Sequence, residues 1–91
     1  MTHELKLCRE FAEPVFFGDK RFEIRENDRG YQKGDTVIFK VVDINPRSRP
    51  LTKREEDIQS ALEKMQFTIS YVISGWGLKN GRVAFGLAER I

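Results

Sequence analysis

A single cysteine, Cys8, and a single histidine, His3, are all the thiol and imidazole chemistry that this 91-residue chain possesses. An internal disulfide is thereby excluded, and so is a structural zinc site built from cysteine and histidine ligands. Long apolar runs are also missing: stretches such as Val37–Phe39 and Val41–Val42 fall far short of the roughly 18 residues that a membrane span needs, so no membrane partner is expected. The opening Met1-Thr2-His3-Glu4-Leu5-Lys6 has no basic segment followed by an apolar one, which leaves no secretory signal to expect and makes the cytoplasm the expected compartment. Charge of one sign is scarce too. A net charge of +2 does not announce nucleic-acid binding by itself. There is no internal repeat, no low-complexity tract, no glycine-rich phosphate-cradling loop and no carboxylate and histidine spacing typical of metal ligands, so neither a cofactor nor a metal is expected.

What is present is ordinary globular composition, 40% hydrophobic and 33% charged, at the length of one domain spanning residues 1–91. A chain of this size buries only about 60–65% of its unfolded surface and supports one modest core. The charge is unevenly placed: between Lys20 and Lys53 there are nine basic residues against five acidic ones, enough for a positive surface that attracts phosphate.

Apolar periodicity divides the chain into five strands and two helices. His3 to Leu7 alternates as a strand, and the pairs Phe11/Val15 and Ala12/Phe16 predict a helix of about two turns that begins near Glu10 or Phe11 and stops at Gly18. Pro14 confines its start, since proline is tolerated only in a first turn. Lys20 to Glu26 alternates with Phe22 and Ile24 on one face and Arg21, Glu23 and Arg25 on the other. Asn27 to Gly30 and Lys33 to Asp35 are turn chemistry, and Thr36 to Val42 suits a strand buried on both faces. Residues 44–50 read as an exposed basic loop. Thr52 and Glu55 form a capping box for a helix over about 53–65, with Ile58, Ala61, Leu62 and Met65 on one stripe. Phe67 to Tyr71 and Val83 to Leu87 read as a closing hairpin, with Ala84, Gly86 and Ala88 fitting a crowded wall. The seven phenylalanines fall on apolar stripes and are expected in the core. The whole reads as an α+β domain around a curled, mostly antiparallel sheet.

The densest group of ionisable residues is Lys20, Glu23 and Arg25. Facing a cleft, Lys20 and Arg25 donate to phosphate or carbonyl oxygens, while Glu23 orients Lys20, accepts from a base edge or moves a proton. Facing solvent, Glu23 and Arg25 are a weak surface pair. Arg29 follows the strand closely enough to add a cation at a cleft rim, and Arg47 and Arg49 are further phosphate candidates. Trp76, between Gly75 and Gly77, either stacks on an unpaired base or closes one end of the fold, and Tyr31 has the same two readings. Cys8 as a nucleophile needs a nearby base, and His3 as a catalytic base competes with ordinary solvation or local pairing.

Gly18, Lys20, Glu23 and Arg25 match G-x-K-x-x-E-x-R, and on this pattern the chain resembles the ASCH domain superfamily, which is related to PUA domains. The blocks at residues 22–29 and 33–35, with weaker ones at 3–6 and 77–86, are similar to a group of small bacterial and phage ASCH-related proteins of unknown function. The resemblance implies a PUA-like β-barrel of about five to six strands with two short helices, and a cleft for RNA lined by the motif strand and the first helix. Some ASCH members instead hydrolyse acylated cytidine nucleosides, with the motif lysine and a threonine at the motif's acidic position; here Glu23 stands in that place. A further departure is the capped helix at about 53–65, expected to shield the cleft or add a wall to it.

The favoured expectation is therefore a non-enzymatic module that binds RNA or another nucleotide-containing ligand through Lys20, Glu23, Arg25, Arg29 and Trp76, with affinity that falls steeply with salt. A small amidohydrolase using Lys20 and Glu23 is the alternative. A protein-interaction module of phage origin, presenting the helix at about 53–65, is the third.

Overall fold

The computed structural model describes residues 1–45 and 47–89; Pro46, part of the loop expected over 44–50, lies outside them. The opening alternation becomes β1 (Thr2–Cys8), with His3, Leu5 and Leu7 inward. A 3-10 turn at Arg9–Phe11 leads into α1 (Ala12–Phe16), so the expected two-turn helix is one 3-10 turn followed by one α-turn. Pro14 explains the division. It sits in the first turn of α1, where an amide has no intrahelical partner to lose. Gly18, at φ +81°, then reverses the chain toward β2 (Phe22–Glu26).

The remaining elements are β3 (Thr36–Val42), α2 (Lys53–Glu63), β4 (Phe67–Ser74) and β5 (Arg82–Glu89). They assemble one five-stranded sheet in the order β1-β3-β4-β5-β2. Among the described residues only the β1/β3 ladder is parallel; the β3/β4, β4/β5 and β2/β5 ladders are antiparallel. This is an α+β fold with a mostly antiparallel sheet and two helices, and β4 and β5 form the expected hairpin. Among the described residues no helix is long and apolar enough to cross a membrane.

Leu5, Leu7, Val37, Phe39, Leu62, Ile69 and Phe85 are the fully buried side chains, contributed by β1, β3, α2, β4 and β5. The stripe on α2 docks through Ile58 and Leu62, and its capping box forms as the sequence predicts: Glu55 N–H donates to Thr52 Oγ1 at 3.2 Å, and Thr52 N–H donates to Glu55 Oε1 at 3.0 Å. β3 departs from expectation. Val37 and Phe39 are buried but Lys40 is exposed, because only one face of this strand meets the core. A register shift between Ile69 and Val72 interrupts the β4/β5 ladder and returns Val72 to the core side. Gly86 lies beside it, where a Cβ would come within 2.4 Å of Ser70 Oγ, so the small residue expected in a crowded wall is needed there.

Of the phenylalanines, Phe11, Phe17 and Phe22 are exposed rather than core: Phe11 and Phe17 flank the short α1, and Phe22 lies on the face of β2 opposite the buried Glu23. His3 is buried instead of solvated: its Nε2 lies 2.8 Å from Asp35 Oδ2 and its ring packs 4.8 Å from that of Tyr31. That hydrogen bond, with one from Gln32 N–H, holds the Asp35 carboxyl below the usual carboxylate range against the opposing effect of burial.

The ladder leaves β1 and β2 as the two edges. The sheet curls until these edges, which run antiparallel, face each other. Arginine side chains cross the seam: Arg25 Nη2 donates to Lys6 O at 2.6 Å and Arg29 Nη1 to Glu4 O at 3.3 Å. Backbone carbonyls of an edge strand are thus satisfied by guanidinium groups from the opposite edge.

Candidate functional site

The polar face of β2 points into the seam, the reverse of the solvated charged face that alternation alone allows. Glu23 is 4% exposed, while Phe22 and Ile24 are 49% and 47% exposed on the other side. A buried carboxylate is costly unless it is paired. Here each oxygen has a cation: Lys20 Nζ donates to Oε1 at 2.8 Å and Arg25 Nε to Oε2 at 3.0 Å.

The chain path delivers Lys20. α1 ends on Gly18, whose N–H donates to Val15 O, and Lys20 N–H reaches back to Pro14 O at 2.9 Å. Arg21 Nε donates to Gly18 O at 2.8 Å and fixes the turn from outside. The ammonium of Lys20 also donates to Phe22 O at 2.8 Å and stands 5.1 Å from the ring centroid of Phe11 and 5.0 Å from that of Phe22. Both distances are within cation–π range. Arg25, held by Glu23 and by Lys6 O, closes the other side. Two cations and one carboxylate leave the cluster one positive charge in excess.

Above the cluster lies a cleft of about 500 Å³, lined by residues 6–8 of β1, by Phe11, by Lys20 and by residues 22–25 of β2. The first helical turn and the motif strand do flank it. Lys20, Glu23 and Arg25 are brought together as the sequence suggested, and Arg29 is placed further along the same seam, at Glu4 O. Trp76 is not. It is 91% exposed at the β4/β5 connection, with φ +53°, and does not line the cleft; nor does it close an end of the sheet. Tyr31 takes its structural reading, buried between His3 and Phe85, and burial, with the charge of Asp28 second, pushes its hydroxyl pKa up. Cys8 lines the cleft and is partly buried.

Lys6, Phe11, Phe22 and Ile24 are among the cleft residues that sequence reasoning missed. The available signal was the alternation of β2 itself, which places Phe22 and Ile24 opposite Glu23; once the carboxylate is inside, the apolar pair must be outside.

A larger groove of about 720 Å³ lies between α1, the loop after β3 and α2. This is where α2 contributes a wall, rather than at the motif cleft as expected. Among the described residues lining it, three arginines meet four carboxylates. They pair with one another: Arg49 with Glu55 through two hydrogen bonds of 2.6 and 2.9 Å, and Arg54 with Glu13. Arg9 bonds Asp43 and Arg49 O. The Arg49 bonds and the N–H of Thr52 hold the Glu55 carboxyl down at about 2. Such a groove offers phosphate no excess positive charge, and it removes Arg49 from the candidates. Arg47 sits in a turn, its N–H bonded to Asn45 Oδ1.

A family model described as a domain of unknown function (DUF3850) matches residues 2–87. An uncharacterised 12.9 kDa protein in the GpA 3′ region of Escherichia phage P2 is 47% identical over 37 residues, covering 41% of this chain and 34% of that protein. The match thus spans about a third of that relative's length.

Proposed function

Because the chain belongs to the DUF3850 family, whose description carries no activity, the chemistry of its own cleft decides the reading, and we propose that this cleft binds RNA or another nucleotide-containing ligand. The observation that carries it is the buried Glu23, which holds Lys20 and Arg25 in fixed positions in a cleft that Phe11 and Phe22 also line. Donors fixed in advance lose little entropy when they meet a phosphate or carbonyl oxygen. The resemblance of Gly18, Lys20, Glu23 and Arg25 to the ASCH signature supports the same reading.

Binding is favoured over amide hydrolysis. Both oxygens of Glu23 are occupied by cations, which leaves it poorly placed as a proton acceptor for a substrate. Protein docking through α2 is disfavoured, since Ile58 and Leu62 are spent on the core. The test is fluorescence anisotropy of labelled single-stranded RNA against wild type and a Lys20→Ala/Arg25→Ala variant, with circular dichroism to verify the fold. Binding by wild type and its loss in the folded variant is the expected result. No binding by wild type at low salt overturns the reading, and release of cytidine from acylated cytidines then becomes the next assay.

A further inference from the structure

The cationic side chains that line the cleft, Lys6, Lys20 and Arg25, are donors. Glu23 is 4% exposed and lies beneath Lys20 and Arg25, so it orients them rather than meeting a ligand. The expected role of Glu23 as acceptor from a base edge therefore falls away. A ligand meets the N–H groups of Lys20 and Arg25 and, beside them, two phenyl rings: Phe11 at 45% exposure and Phe22 at 49%. The rest of the wall includes the apolar side chain of Ile24.

This composition discriminates among nucleotide ligands. A run of phosphates is recognised by several cations at once, and the charged side chains lining the cleft, Lys6, Lys20 and Arg25 against Glu23, supply two net positive charges. A flat ring with apolar faces and carbonyl oxygens on its edge satisfies both halves of the cleft, its face against phenyl and its oxygens toward N–H. Uracil, with two carbonyls, and guanine, with adjacent O6 and N7 acceptors, have such edges; adenine turns an amino donor toward the same donors. In a duplex the faces are stacked and the edges paired, so the base must be unpaired.

Resting on the binding function proposed above, we infer that the cleft takes one unpaired keto base, uracil or guanine, laid against Phe22 and Phe11 with its carbonyl edge toward Lys20 and Arg25, and that no more than about two phosphates are engaged. The salt dependence is then moderate, with a slope of log affinity on log salt no steeper than about −1.4 for a single strand. This replaces the steep fall expected of RNA binding at the motif.

The experiment is anisotropy with short labelled oligouridine and oligoadenylate across a salt series, on wild type, Phe22→Leu, Phe11→Leu, Phe22→Tyr and Lys20→Ala/Arg25→Ala. Leucine keeps apolar bulk at a half-exposed position, and melting curves verify that these variants fold. Oligouridine is expected to bind at least about fivefold tighter than oligoadenylate. Phe22→Leu is expected to weaken it by about 5- to 150-fold, the range that corresponds to loss of one stacked base, while Phe22→Tyr retains binding. If both leucine variants bind as wild type, the double variant loses binding, and the slope is about −2 or steeper, the cleft is a phosphate site: the keto-base inference is overturned and the binding function stands. Equal affinity for the two oligomers overturns the inference in the same way. No binding by wild type of either oligomer or of a short guanosine-containing one overturns both.

Discussion

At the scale of single residues, Glu23 decides the character of the site. Its carboxylate is buried and each of its oxygens holds a cation, so the group is tolerable only as a triad. Glu23→Gln retains the shape and removes the charge that Lys20 and Arg25 need. We expect a loss of about 1–3 kcal/mol, discounted from the fully buried case because both cations are partly exposed. Urea unfolding checks this, and an unchanged midpoint would show that the triad contributes nothing to the fold. The spacing of Gly18, Lys20, Glu23 and Arg25 made this group legible, since residues two apart share a strand face and the glycine turn brings Lys20 to the same place. Its direction was not legible. Alternation has period two and is symmetric under inversion, and the general preference for buried apolar side chains favours putting Phe22 and Ile24 inside. Paired charges reverse that preference, and pairing across a turn leaves no mark in hydrophobic periodicity.

At the scale of elements, two local devices govern how the frame holds. α2 begins on the Thr52/Glu55 capping box, and Glu55 also accepts from Arg49. Thr52→Ala is expected to cost about 1 kcal/mol by thermal or urea unfolding. The Glu55 carboxyl titrates at about 2 in the fold against an ordinary 4.5, so its stabilisation is complete above pH 4.5 and is lost as the pH falls toward 2. A Glu55→Gln variant should therefore show a smaller drop in urea midpoint than wild type between those pH values; equal drops would place the acid sensitivity elsewhere. The second device is the close approach of β4 and β5. Gly86→Ala puts a Cβ 2.4 Å from Ser70 Oγ but 3.8 Å from its Cβ, so the substitution should cost about 1 kcal/mol and become nearly neutral in a Ser70→Ala background. A cost that persists in that background would show that the Ser70 hydroxyl is not the source of the strain. The capping box was readable because its residues are three apart in sequence. The division of the first helix was half readable: Pro14 marks a first turn, but the 3-10 geometry of Arg9–Phe11 depends on how Cys8 leaves β1.

At the scale of the whole molecule, the site exists because the sheet curls. β1 pairs only with β3 and β2 only with β5, yet the two edges meet and Arg25 and Arg29 cross between them. The α+β class, the strand set and the closing hairpin follow from periodicity and turn residues that each segment carries within itself. The seam has no such local signature, since it joins residues 4–6 to residues 25–29 through side chains and not through a ladder. Trp76 shows the same limit from the other side: the glycines around it do shape a turn, but that turn lies at the far connection of β4 and β5, outside the cleft. The most direct test of the central claim is an amide-resolved NMR titration of the labelled protein with short oligouridine. Perturbations concentrated at residues 6–11 and 20–25, the two sides of the seam, are the predicted result. Their absence, or their confinement to the groove between α1 and α2 or to the connection at 75–81, would contradict a nucleotide site at the motif cleft.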